Sequence, residues 1–162
     1  MADNVDRILG QWQREKPGLD VSPMGVIGRL SRTAVAVDVR LAETFARHGL
    51  DASSFDVLAT LLRNGAPYRI APAELARESM ISTSAVAQRL NKIERLGFIT
   101  REANPDDGRG TLVALTDTGK RIIEKALPDH LDTERSIVSA LSLEEQLLLA
   151  KLLARVSDAA TA

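Results

Sequence analysis

Two groups of residues in this chain have the type and spacing to do chemistry. The first lies between Ser82 and Leu96, where Val86, Leu90 and Ile93 cluster on one side of a helical wheel. Ser84, Ala87, Gln88, Asn91 and Arg95 fall roughly opposite. Small residues there let a backbone approach a groove of duplex DNA. Gln88 can pair bidentately with adenine, Asn91 can contact a base or a phosphate, and Ser84 or Thr83 suits either. A little further on, Arg109 stands between Gly108 and Gly110 at a hairpin tip, a cation on a flexible loop that can enter a narrow minor groove. Asp107 offers the alternative of holding Arg109 or the loop by a hydrogen bond.

The second group is not explained by DNA. Asp56 and Arg63 are seven residues apart, hence on one helix face and about 10.5 Å apart along the axis. Arg89 lies beside the Val86/Leu90/Ile93 stripe, away from the outward set, and an inward-leaning arginine needs a partner. Trp12, the only tryptophan, sits on the apolar face of an N-terminal helix. Structural ion pairs and a core anchor would account for each residue singly.

The elements that position these residues can be read from the pattern. Val5, Ile8, Leu9 and Trp12 predict a helix from about Asn4 to Glu15, ended by Pro17-Gly18. Ser22-Pro23 opens a second helix, stopped at His48-Gly49. Ser53 or Ser54 is expected to cap a third, terminated by Asn64-Gly65. A minimal strand at residues 68–70 precedes a short helix opened by Pro72, then the Ser82–Leu96 helix, with Ile81 and Val86 as a hydrophobic staple. Residues 98–102 and 111–115 form the strands of a wing. Thr116 starts a long helix that Pro128 should kink. Ser142 and Glu145 box the start of a last helix dense in leucine.

Composition removes whole classes of function. The 162 residues suit one domain, and with no cysteine there is no thiol catalysis, disulfide or thiolate metal site. The two histidines, His48 and His130, lack metal-ligand spacing. No nucleophile–base pair or phosphate loop stands out, so an enzyme is not expected and no cofactor is implied. No apolar run is long enough to span a membrane, and Met1 to Arg14 lacks a signal-peptide core, so a cytoplasmic location is expected. Net charge is −1, yet Arg89, Lys92, Arg95 and Arg101 face only Glu94 between Ile81 and Arg101. Local charge therefore permits nucleic acid where the global figure argues against it.

The pieces from Leu75 through the Ser82 helix, Gly97-Phe98-Ile99, Asp107-Gly108-Arg109 and Leu115-Thr116 to Gly119 resemble, in order and spacing, the MarR family of winged-helix repressors. Gly108 departs from the many relatives that carry a second arginine there. The resemblance implies a single domain over 1–162, mainly α with a small β-hairpin wing. A winged helix-turn-helix at about 53–116 would be flanked by dimerisation helices at about 1–50 and 117–162. It implies a homodimer binding double-stranded DNA at a pseudo-palindromic operator.

Trp12, Asp56, Arg63 and Arg89 together resemble the urate-responsive branch of that family, in which the matching residues bind the anion. The resemblance implies a repressor released from DNA by urate or another purine. Two guanidiniums would neutralise a planar anion, Trp12 would wall it, and Asp56 would accept a ring N–H or hold an arginine. A tricarboxylate such as aconitate or citrate, or another aromatic acid, is the alternative ligand, although Asp56 would repel a polyanion. A helical interaction module without DNA binding is the remaining alternative.

Overall fold

The computed structural model describes residues 3–78, 83–105 and 110–162, with the side chains of 83–86 outside that description. The chain forms two compact units, Met1–Arg40 and Leu41–Ala162. The Ile81/Val86 staple and the wing-tip Arg109 fall outside the described residues.

In the first unit, α1 (Asn4–Glu15) keeps the bounds its apolar spacing predicts. Its cap is Asp3, whose carboxylate accepts from the Val5 and Asp6 N–H groups at 2.8 and 2.9 Å, while Asp6 accepts from the Asp3 N–H at 3.0 Å. The long helix α2 (Ser22–Arg47) meets α1 through glycines. A Cβ on Gly25 would stand 3.4 Å from Leu9, and one on Gly28 3.5 Å from Val5. Arg29 of α2 then donates to Asp3 at 2.9 and 3.0 Å and to Asp6 at 2.6 Å, setting a cation over an acidic helix start. Backbone hydrogen bonds first, and Arg29 after them, hold both carboxyls below their ordinary pKa.

The second unit carries the core. Helices α3 (Ala52–Arg63), α4 (Pro72–Glu78) and α5 (Thr83–Arg95) pack with α6 (Asp117–Val138) around Val57, Leu58, Leu61, Leu75, Ile93 and Ile123, all fully buried. A three-stranded antiparallel sheet, β1 (Arg69–Ile70), β2 (Ile99–Ala103) and β3 (Thr111–Leu115), is ordered β1-β3-β2. Ile99 lies opposite Leu115 and Ala103 opposite Thr111, so Val113, which faces Arg101, stays in the core. Phe45 and Phe55 stack at 4.4 Å, with the His130 ring 5.5 and 4.6 Å from them. His48 meets Asp129 at 2.8 Å. Both histidines are therefore packing residues.

Three local expectations are corrected. Asp51, not Ser53 or Ser54, caps α3: its carboxylate accepts from the Ser54 N–H at 2.7 Å, and Ser54 is buried. Helix α2 already includes Ser22, whose N–H is accepted at 2.9 Å by Asp20. Strand β2 begins at Ile99, one residue late, because the Phe98 carbonyl instead accepts from the Thr116 N–H at 3.1 Å. Pro128 lies inside α6 without ending it. The Ser142–Glu145 capping box opens α7 (Leu143–Thr161), in which no residue is buried. Among the described residues no helix is long and apolar enough to cross a membrane.

Candidate nucleic-acid interface

Helix α5 divides as the wheel predicts over its described part. Leu90 and Ile93 are buried, Ala87, Gln88, Asn91 and Arg95 are exposed, and Arg89 is half-buried. Thr83 and Ser84 lie in the first turn of α5, with side chains outside the description. The packing of α4 against α5 supplies the two helices of a helix-turn-helix.

What fixes α5 in place was not singled out from the sequence. Lys92 forms an ion pair with Asp51, the cap of α3. Partial burial pushes the Asp51 carboxyl up, but hydrogen bonds from Lys92 and then Ser54 outweigh it, so it titrates well below the usual carboxylate range. On the opposite flank, Arg101 of β2 donates to the Glu94 carboxylate and, at 2.7 Å, to Asn91 Oδ1. Arg95 turns its Nε back to the Asn91 carbonyl at 3.2 Å. The helix is thus tied to α3 on one side and to the wing on the other. The only sequence signal was opposite charge at long separation, which has no register to read.

The wing is anchored at its base. Thr116 caps α6, accepting from the Gly119 N–H at 3.0 Å, and its hydroxyl donates to the Gly97 carbonyl at 2.7 Å. Gly97, at φ 72°, makes the left-handed turn out of α5. Across the hairpin the Asn104 N–H donates to the Gly110 carbonyl at 2.9 Å, closing the strands below the tip.

The residues expected to hold an anion are spread over three helices. Asp56 is half-buried in α3, and Arg89 half-buried in α5, which packs against α3. Arg63, at the end of α3, is exposed and donates to the Glu78 carbonyl at the end of α4, with the Glu78 carboxylate 3.9 Å away. Its observed partner is therefore Glu78. Trp12 is part-exposed on α1, in the other unit. Among the described residues no cluster of His, Asp or Glu could hold a metal ion.

Comparison with known proteins agrees with this geometry. The model of the MarR family matches residues 48–110. The transcriptional regulator PecS of Dickeya dadantii is 41% identical over 152 residues, covering 94% of this chain and 92% of its own. A MarR-family regulator of Streptomyces coelicolor, Sco3205, solved in complex with DNA, superposes with a TM-score of 0.79 at 25% identity, covering 87% of this chain and 92% of that one. Bordetella bronchiseptica BpsR, solved to explain how 6-hydroxynicotinic acid regulates its DNA binding, shares the fold at a TM-score of 0.74 and 22% identity, over 82% and 93% of the two chains. These relatives are regulators, not enzymes, and the chain belongs to the MarR family of DNA-binding transcriptional regulators.

Proposed function

We propose that the protein is a homodimeric repressor that reads a pseudo-palindromic operator with α5 and is released from DNA by a small planar anion, urate or another purine. Arg89 carries the proposal. It is a half-buried cation on the helix whose opposite face offers Gln88 and Asn91 outward, and α3 with Asp56 packs beside it. An anion drawn to Arg89 pulls on the reading helix itself, so ligand and DNA favour different settings of α5, which is negative coupling. Arg63 would exchange its exposed contact with Glu78 for the ligand. Trp12 enters the set on the resemblance alone. The regulation of BpsR, of the same fold, by an aromatic acid supports a planar anion as effector.

Dimerisation is supported by surplus apolar surface. Helix α7 leaves Leu143, Leu147, Leu148, Leu149, Leu152 and Leu153 exposed, the first at 73%. Such a contiguous apolar face marks an association surface, and paired half-sites require a two-fold symmetric reader.

The test is a mobility-shift titration on DNA flanking the protein's own gene, with urate and separately with citrate or aconitate. Release by urate alone is expected. Binding that persists at saturating levels of urate and other purines rejects the ligand class, and release by the tricarboxylates alone transfers the site to them.

A further inference from the structure

Asn91 is exposed on α5, but its carboxamide does not offer DNA its two groups equally. Arg101 reaches from β2 to the helix with both ends of its guanidinium, Nη2 donating to Asn91 Oδ1 at 2.7 Å and Nη1 to the Glu94 carboxylate. A guanidinium only donates. The Asn91 atom facing it is therefore the oxygen, whichever way an amide is drawn. Asn91 and Glu94 are three residues apart and so are neighbours on one helix face. The Arg101 and Glu94 side chains are 33% and 35% exposed, which shields this charge-assisted contact in part from water.

Resting on the reading of α5 as the base-reading helix, we infer that Arg101 is a positioning residue for sequence specificity. By holding Oδ1 toward β2 with a cation, it leaves the amide NH2 as the outward group and makes Asn91 chiefly a donor. Asparagine reads adenine by accepting from N6 and donating to N7 together. With Oδ1 held by the Arg101 guanidinium, the accepting half of that pair is weakened. Guanine offers two acceptors, O6 and N7, and thymine offers O4, while the cytosine N4 amine is another donor. Adenine keeps one acceptor, N7, but sets its N6 amine against the oxygen that Arg101 holds, so guanine or thymine is favoured over adenine at the base facing Asn91, and cytosine is disfavoured.

Selection from a randomised duplex library with the full-length chain tests this. The position read by Asn91 is the one whose preference disappears in Asn91→Ala, and the wild type is expected to enrich guanine or thymine there. Arg101→Met frees Oδ1 and is expected to raise adenine over guanine about tenfold at that position alone. Arg101→Lys keeps a donor and the wild-type preference. Asn91→Asp keeps the acceptor for Arg101 and removes the donor, so the preference should vanish even if Arg101→Met does not fold. Adenine enriched by the wild type overturns the inference. So does an Arg101→Met protein weakened equally on every sequence, or an Asn91→Ala loss uniform across sequences, as a phosphate contact gives. A wild-type library that enriches no sequence sinks the operator reading as well, which separates the two failures.

Discussion

Gly119 in the first turn of α6 lies directly against the Phe98 carbonyl at the root of the wing. A Cβ there would overlap that oxygen, and both partners are backbone, so neither can swing aside. Gly119→Ala is expected to cost about 3 kcal/mol, lowering the midpoint of thermal unfolding by roughly 9 °C. Gly10→Ala provides the contrast. It sits within α1, and its nearest neighbour is the flexible Arg14 guanidinium at 3.9 Å. A gain of about 0.5–1 kcal/mol is expected. Equal effects of the two substitutions in calorimetry would refute the close approach.

The Asp51–Lys92 pair makes the setting of α5 sensitive to acid. Asp51 titrates below its unfolded value, so its contribution is present above about pH 3.9 and fades as pH falls further toward the folded pKa. Asp51→Ala removes the α3 cap and is expected to cost about 1 kcal/mol at neutral pH. In denaturant titrations its deficit should shrink steadily below pH 4. A deficit that grows with acid would contradict the sign.

Arg89→Ala is expected to fold and to bind the operator while losing ligand-induced release. Isothermal titration with urate should show the affinity lost, and the mobility shift should show DNA retained. Release unchanged from wild type removes Arg89 from the mechanism.

Leu148→Glu combined with Leu152→Glu places two carboxylates on the exposed face of α7, where neither residue supports the core. The helical circular dichroism should persist while sedimentation shifts from dimer to monomer and half-site cooperativity is lost. A wild-type chain that sediments as a monomer ends the dimer proposal without the variant.

Much of the fold was readable because its signals are local. The spacing of Val5, Ile8, Leu9 and Trp12 sets α1, and the left-handed glycines at 49, 65 and 97 end α2, follow α3 and end α5. The misread cap of α3 shows where local signals stop. Asp51, Ser53 and Ser54 all supply an oxygen at the right distance in sequence. Asp51 alone also meets Lys92, 41 residues away. The outward face of α5 was likewise clear from periodicity, whereas the engagement of Asn91 by Arg101 depends on the register of β2 against β3 and on the turn at Gly97. For Arg63, helical spacing pointed along its own helix toward Asp56, and the partner it found came from the end of the next one.

A helix of 19 residues with no side chain buried in its own fold would, once paired as proposed, make stability a matter of abundance. In the proposed dimer, burial of its leucines against a second copy would add a term that grows with the logarithm of concentration. Dilution would then weaken folding and operator occupancy together, since both would draw on the proposed dimer. The proposed repression would acquire a threshold set by how much of the regulator is made, and the melting temperature should climb as the protein is concentrated.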